Sequence, residues 1–237
     1  MLSLLRVLAA VLALSLSPAP LGMRSQGPPL RILWIGNSYT YVNDLPKIIV
    51  QLAELSGVSR RPSITGILKG GEWLKGHVAN PALQKALEDR WDVVVMQEQS
   101  TTPITAPDTM LKYGKLIADV AHEDGARVVL FVTWPPKRFP SSADTIVAAY
   151  RALGAASHVQ LALVGPAWMS VIAQDPSAEL YQNDGSHPGP QGSYVAACVF
   201  YEVLFGRSPV GLPAIGVTRP EARRAQEAAH NALRSNQ

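Results

Sequence analysis

The chain has 237 residues, 47% of them apolar and 16% charged, with a formal charge of +3: enough for one well-buried domain. There is no basic tract of the kind nucleic acid requires and no acidic tail for a cationic partner. The single cysteine, Cys198, excludes an internal disulfide, so stability has to come from the core, and in its apolar surroundings this thiol reads as a small buried hydrophobe.

Residues 1–25 read as an export signal, with Arg6 in a short charged start, an apolar stretch over 7–16 and small residues mixed with Pro18 and Pro20 at its exit. That stretch is roughly half of what a spanning helix needs, so a retained anchor is the lesser reading and no stable membrane insertion is expected after cleavage. Cleavage falls between Ala19 and Gln26. The domain proper, 26–237, is expected to be periplasmic or secreted and, without Arg6 and Arg24, close to neutral.

Arg31 begins an apolar run of the length of a strand buried on both faces, which breaks at Gly36 into Asn37-Ser38-Tyr39-Thr40. Two readings compete there. Ser38 is either an exposed hydroxyl at the carboxyl end of a strand or merely part of a turn and helix N-cap. Next, Leu45, Ile48, Ile49, Leu52 and Leu55 have the spacing of an amphipathic helix, with Asp44 as its cap, Pro46 in its first turn and Gly57 as its stop. A second strand over 62–68 leads to Gly70-Gly71, where backbone amides can approach a ligand or simply make a tight turn.

Residues 83–90 read as a polar-faced helix and 91–96 as the clearest buried strand, ending in Gln97-Glu98-Gln99-Ser100. A helix over 107–123, a strand over 127–133 closed by Trp134 and two prolines, an alanine-rich helix over 142–157 and a strand over 159–164 follow. A further helix extends from Gly165-Pro166 to Ala173. Five strands alternating with helices argue for a parallel sheet covered on both faces. The polar loop 180–190 holds Asp184 and His187, three residues apart, and precedes a strongly apolar helix over 193–205. An Asp and a His in such a loop are, taken alone, solvated or capping groups.

Together these segments hold a chemistry. A serine hydroxyl attacks only when a base takes its proton; an imidazole can do so, and a carboxylate on its far nitrogen sets the tautomer. Ser38, His187 and Asp184 supply one of each. The tetrahedral intermediate also needs donors: the amides of Ser38 and Gly71 and the side chain of Gln97 or Gln99 are the candidates, with Gln97 preferred as the first residue past its strand. The first three strands deliver the serine, glycine and glutamines to one sheet edge. Tyr39, Trp73 and Trp134 are candidates to line the cleft or to pack in the core. Glu98 is either a structural acceptor or a contact for a substrate hydroxyl. His77, His122, His158 and His230 read as surface or satisfied histidines without metal-ligand spacing, so neither metal nor cofactor is expected.

Gly36-Asn37-Ser38 after the first strand, Gly71 after the second, a glutamine after the third and Asp184-Gly-Ser-His187 before a C-terminal helix resemble the four blocks of the SGNH (GDSL-type) serine hydrolases. Asn37 stands where many members have Asp, and Gln97-Glu98-Gln99-Ser100 replaces the usual Gly-x-Asn-Asp, as in exported carbohydrate esterases. The resemblance spans the mature chain. It implies a flavodoxin-like three-layer α/β/α domain, no metal, and an esterase that removes small acyl groups, with acetyl on a carbohydrate as the expected substrate. A lipid or thioester hydrolase on the same scaffold and a non-catalytic binding domain are the alternatives.

Overall fold

A computed structural model describes residues 27–234. The expected export signal, residues 1–25, lies outside the described residues. Strand β1 (Leu30–Gly36) leads into a short helix α1 (Ser38–Tyr41), a 3-10 turn (Val42–Asp44) and helix α2 (Leu45–Ser56). Then come β2 (Pro62–Leu68), α3 (Leu74–Val78), α4 (Pro81–Ala86), β3 (Val93–Met96), α5 (Thr102–Thr105) and α6 (Pro107–Glu123). The last third contains β4 (Arg127–Phe131), α7 (Ala143–Ser157), β5 (Gln160–Ala162), α8 (Val164–Gln174), α9 (Pro190–Phe205) and α10 (Arg219–Arg234).

The five strands form one parallel sheet in the order β2-β1-β3-β4-β5. Because successive side chains leave a strand on opposite faces, each strand feeds two cores. Ile32, Trp34, Val93, Val95, Val129 and Phe131 face the layer made by α2, α8, α9 and α10. Leu33, Ile35, Val94, Met96, Val128 and Leu130 face α6 and α7. The domain is therefore a three-layer α/β/α sandwich of flavodoxin type. Burial on both faces explains why these strands read as continuous apolar runs instead of alternating ones.

Helix α9 is buried on every side. It lies between the sheet and α10, and Gly192 lets it approach so closely that a Cβ there would stand 2.3 Å from the Trp168 ring. Cys198 is fully buried on this helix, as its surroundings suggest.

Several boundaries move. Asp44 occupies the N-cap of α2 in the left-handed region, at φ 53°, and its side chain makes no cap bond. Strand β3 starts at Val93 instead of Trp91, because Asp92 turns its carboxylate back to the Arg31 amide and the Arg60 guanidinium. The helix expected over 83–90 runs from Pro81 to Ala86, capped by the Asn80 side chain on Ala82 N. Helix α8 starts at Val164 and takes Gly165 and Pro166 into its first turn, where a missing N–H costs nothing.

For function the decisive feature is the strand order. From β1 the chain goes outward to β2, then returns across β1 to β3. The crevice at the carboxyl ends of β1 and β3 is the point where an open α/β sheet binds ligands, and Ser38 stands there.

Candidate active site

Ser38 is the first residue of α1, one residue past the buried Gly36-Asn37 pair. Asn37 caps the helix, its Oδ1 accepting from Tyr39 N at 3.2 Å. The same oxygen accepts from Gln97 Nε2 at 2.7 Å, and Asn37 Nδ2 donates to the Glu72 carbonyl at 3.1 Å. Gln97 Oε1 receives Asn37 N at 3.1 Å and Thr40 Oγ1 at 2.9 Å, while Trp34 Nε1 donates to Thr40 Oγ1. Glycine is required at 36 for a steric reason: a Cβ would lie 2.8 Å from Gln97 Oε1 and 2.9 Å from Thr40 Oγ1. This buried network holds the serine-bearing turn rigid against β3.

His187 Nε2 lies 2.8 Å from Ser38 Oγ, and its Nδ1 lies 2.5 Å from Asp184 Oδ2. The order is that of a nucleophile, a base and an orienting acid. A carboxylate on Nδ1 keeps the proton there and leaves the Nε2 lone pair toward the serine, so Ser38 Oγ–H donates. Asp184 Oδ1 accepts from the backbone amides of Ser186 and His187 at 2.8 and 2.9 Å. The His187 hydrogen bond, followed by these amides, lowers the Asp184 carboxyl to about 2, so it is ionised at any working pH.

The His187 loop is gripped from the nucleophile side on both flanks of the base. Ahead of His187, Tyr39 Oη lies 2.6 Å from Ser186 Oγ, and Trp134 Nε1 donates to the Ser186 carbonyl at 3.0 Å. Behind it, Asn43 Nδ2 donates to the Pro188 carbonyl at 2.8 Å and to Ser193 Oγ at 3.0 Å. Below the loop, Tyr39 stacks on Trp134 with centroids 4.5 Å apart, and Trp134 stacks on Trp168 at 4.0 Å.

The two expected backbone donors lie in the turns that follow β1 and β2. The Ser38 N–H opens a helix and has no intrahelical acceptor. Gly71 sits at φ 67°, a conformation that favours glycine, in a turn pinned to β1 through Lys69 N on the Gly36 carbonyl and through Asn37 on Glu72 O.

The third block departs from expectation. Gln97, preferred as the side-chain oxyanion donor, is fully buried, and both of its N–H groups are committed, to Asn37 Oδ1 and to the Glu98 carbonyl at 2.9 Å. It braces the turn and has no donor left for an oxyanion. Gln99 is only half-buried. Its Oε1 accepts from the amides of Thr101 and Thr102 at 2.7 and 3.1 Å, which fixes the side chain and leaves its amide group with a single 3.3 Å contact to Ser100 Oγ.

Three of the four substrate-contact candidates are buried. Tyr39 and Trp134 belong to the aromatic column under the His187 loop, where packing takes their faces. Glu98, 1% exposed, is a structural acceptor: its Oε1 receives Leu74 N at 3.2 Å and Gln99 N at 2.7 Å, tying the loop after β2 to the loop after β3. Desolvation dominates over these bonds and pushes its carboxyl up to about 7. Only Trp73 is exposed, at 39%.

Sequence reasoning missed one group and left the place of a second open. Asn43 carries no motif, and only its pairing with Pro188 across 145 positions shows its role. His77, taken as a surface or satisfied histidine, is completely buried under the serine turn, where its Nε2–H donates to the Gly36 carbonyl at 2.9 Å. Burial lowers its pKa, in keeping with a neutral ring. Of the remaining histidines, His122 lies against the Ser157 carbonyl, His230 pairs with Glu202, and His158 ends α7 in a left-handed conformation at φ 51°. Among the described residues no group of His, Cys, Asp and Glu forms a metal-binding cluster.

No protein-family model matches the sequence, and a comparison with curated proteins returns no match. Solved structures do match. A protein from Slackia heliotrinireducens described as an SGNH hydrolase is 30% identical, with 74% of this chain and 99% of that chain covered at a TM-score of 0.62. A DUF4886 family protein from Bacteroides uniformis is 22% identical over 89% of this chain and 96% of its own, at a TM-score of 0.71. The acetyl xylan esterase AlAXEase shares the fold at 12% identity, with 73% and 99% covered and a TM-score of 0.63. With a 30% identical relative matched along nearly its whole length on the same fold, the chain belongs to the SGNH superfamily of serine hydrolases.

Proposed function

We propose that this enzyme is an exported esterase that removes small acyl groups, acetyl above all, from a carbohydrate. The observation that carries the reaction is the continuous hydrogen-bonded line from Ser38 Oγ through His187 to Asp184. Ser38 Oγ attacks the ester carbonyl while His187 Nε2 takes its proton. The amides of Ser38 and Gly71 and the side chain of Gln99 hold the oxyanion. Collapse expels the alcohol, protonated by His187, and leaves an acyl-Ser38. Water, deprotonated by the same imidazole, releases the acid.

A small acyl group on a carbohydrate is supported by the glutamine-bearing third block, Gln97-Glu98-Gln99-Ser100. The similarity in fold to an acetyl xylan esterase agrees with it. Export is supported by the charged start, apolar stretch and small-residue exit of residues 1–25.

A fluorophosphonate should label the protein on Ser38, and the label should vanish in Ser38→Ala and His187→Ala. Folded protein that takes no label is a binding module instead. A series of nitrophenyl esters settles chain length: acetate should be preferred, and faster turnover of octanoate overturns the acetyl assignment. N-terminal sequencing of the exported protein should place its first residue between positions 19 and 27.

A further inference from the structure

A cavity of about 350 Å³ opens beside the triad. Its walls come from three places: Thr101 just after the third block, Lys137 and Arg138 after β4, and Asn183, Asp184 and Ser186 of the base-bearing loop. The Lys137 amide donates to the Gly185 carbonyl at 2.8 Å, so the two loops are joined and the cations have fixed roots.

Position decides which half of an ester reaches this cavity. The leaving oxygen must come within hydrogen-bond reach of His187 Nε2 to receive its proton. The alcohol therefore departs over the imidazole, and the far end of that imidazole is held by Asp184, which is part of the cavity wall. The carbonyl oxygen points instead toward the amides of Ser38 and Gly71.

Charge decides what the cavity accepts. None of the ion pairs among the described residues involves Lys137 or Arg138; Arg138 only leans over the Phe139 ring, 5.1 Å from its centroid. The Asn183 side chain has no hydrogen-bond partner among the described residues. The one acid in the wall, Asp184, already accepts from His187 Nδ1 and from two backbone amides. Two cations outside any ion pair and an unpartnered amide thus line a cavity that holds one anion, Asp184, which leaves its wall with a net positive charge.

We propose that this cavity is the subsite for the alcohol half of the substrate, and that it takes an alcohol bearing an anionic group of the carboxylate or sulfate class. The assignment rests on the ester-hydrolase reading above and narrows it from carbohydrates in general to acidic ones. Arg138 supplies a planar fork suited to an oxyanion, Lys137 a mobile point charge, and Asn183 a neutral donor.

Pairs of aryl acetates that differ only in charge test it: 4-acetoxybenzoate against 4-acetoxybenzamide, and 4-acetoxybenzenesulfonate against its sulfonamide. For each pair the ratio of kcat/KM, charged over neutral, is measured in wild type, in Lys137→Ala/Arg138→Ala and in Lys137→Glu/Arg138→Glu. Loss of the cations should lower the ratio about tenfold, the size expected for ion pairs partly open to solvent, and reversal should lower it further. Wild-type preference should also weaken as salt rises through about 0.1 M, where screening acts over ~10 Å. A change in the benzoate pair alone assigns a carboxylate, and a change in both pairs any anion. Ratios identical in all three proteins overturn the subsite while leaving the esterase intact. Absence of both fluorophosphonate labelling and turnover of every ester overturns the underlying reading, and the subsite with it.

Discussion

The Asn43 side-chain amide donates to the Pro188 carbonyl at 2.8 Å, and so ties the residue after the base to the turn that follows the nucleophile helix. To do this Asn43 and its neighbour Asp44 both adopt left-handed conformations, at φ 56° and 53°, which side chains other than glycine seldom take. The expected outcome for Asn43→Gly is a split between stability and activity. Glycine relieves the strain, a gain of about 1 kcal/mol, while the hydrogen bonds to the Pro188 carbonyl and to Ser193 Oγ are lost at about 1 kcal/mol each, so the melting temperature should fall by only a few degrees. The value of kcat, set by the Ser38–His187 alignment, should fall about tenfold. Equal kcat in variant and wild type removes Asn43 from the positioning apparatus.

Tyr39 acts on the other flank of the base. Replacement by Phe keeps the stacking on Trp134 and deletes only the Oη contact with Ser186. We expect kcat to drop several-fold with KM for a nitrophenyl acetate unchanged, because no substrate contact is lost. A rise in KM alone would return Tyr39 to the cleft lining.

The two glutamines of the third block should separate cleanly. Gln99→Ala removes the proposed oxyanion donor and should cost about 10²-fold in kcat in a stable protein. Gln97→Ala leaves Asn37 N, Asn37 Oδ1 and Thr40 Oγ1 short of buried partners and should destabilise by about 2–4 kcal/mol in chemical denaturation. The reverse pattern reassigns the oxyanion donor to Gln97.

Only a neutral imidazole can accept the Ser38 proton, so activity should decline on acidification. Asp184 is held at about 2, so it stays ionised across the accessible range and adds no second proton to that limb. The slope of log kcat/KM against pH should accordingly be one. The profile is best measured in Glu98→Gln, where the only other group near the site with a carboxyl moved up to about 7 has been removed.

Glu98 should show itself in stability. Its carboxyl is raised in the folded state above the ordinary value of about 4.5, so the folded form holds a proton that the unfolded form gives up between pH 4.5 and 7. Its contribution is therefore best below pH 4.5 and is progressively lost as pH rises to about 7, by about 2–3 kcal/mol. Urea unfolding of wild type and Glu98→Gln at pH 5 and pH 8 reads this directly: the variant should gain relative to wild type at the higher pH. A pH-independent difference would mean that Glu98 is not desolvated.

Much of this architecture was legible before any coordinates. Strands β1, β3 and β4 announce themselves as apolar runs because the centre of a parallel sheet, buried on both faces, tolerates little else, and the bounds of the edge strand β2 and of α6 match the pattern residue for residue. The strand-end positions of Ser38, Gly71 and the glutamines follow from the same logic, since all strands of a parallel sheet end on one edge. Boundaries failed where a side chain competed with the backbone, as Asp92 does at β3 and Asn80 at α4.

Roles, as distinct from positions, were out of reach of one-dimensional reasoning. Which of Gln97 and Gln99 keeps a free donor depends on Asn37 standing 60 positions away, and whether Tyr39 and Trp134 face solvent depends on the loop that lands on them. The sequence by itself determined the fold class, the sheet edge that carries the candidate site and which serine, histidine and aspartate meet there, because local periodicity and residue type are enough for those. Only the tertiary structure decided that Gln97, Glu98, Tyr39, Asn43 and His77 hold the site together, because burial and hydrogen-bond partnership are relations between distant segments and exist only once the chain has closed on itself.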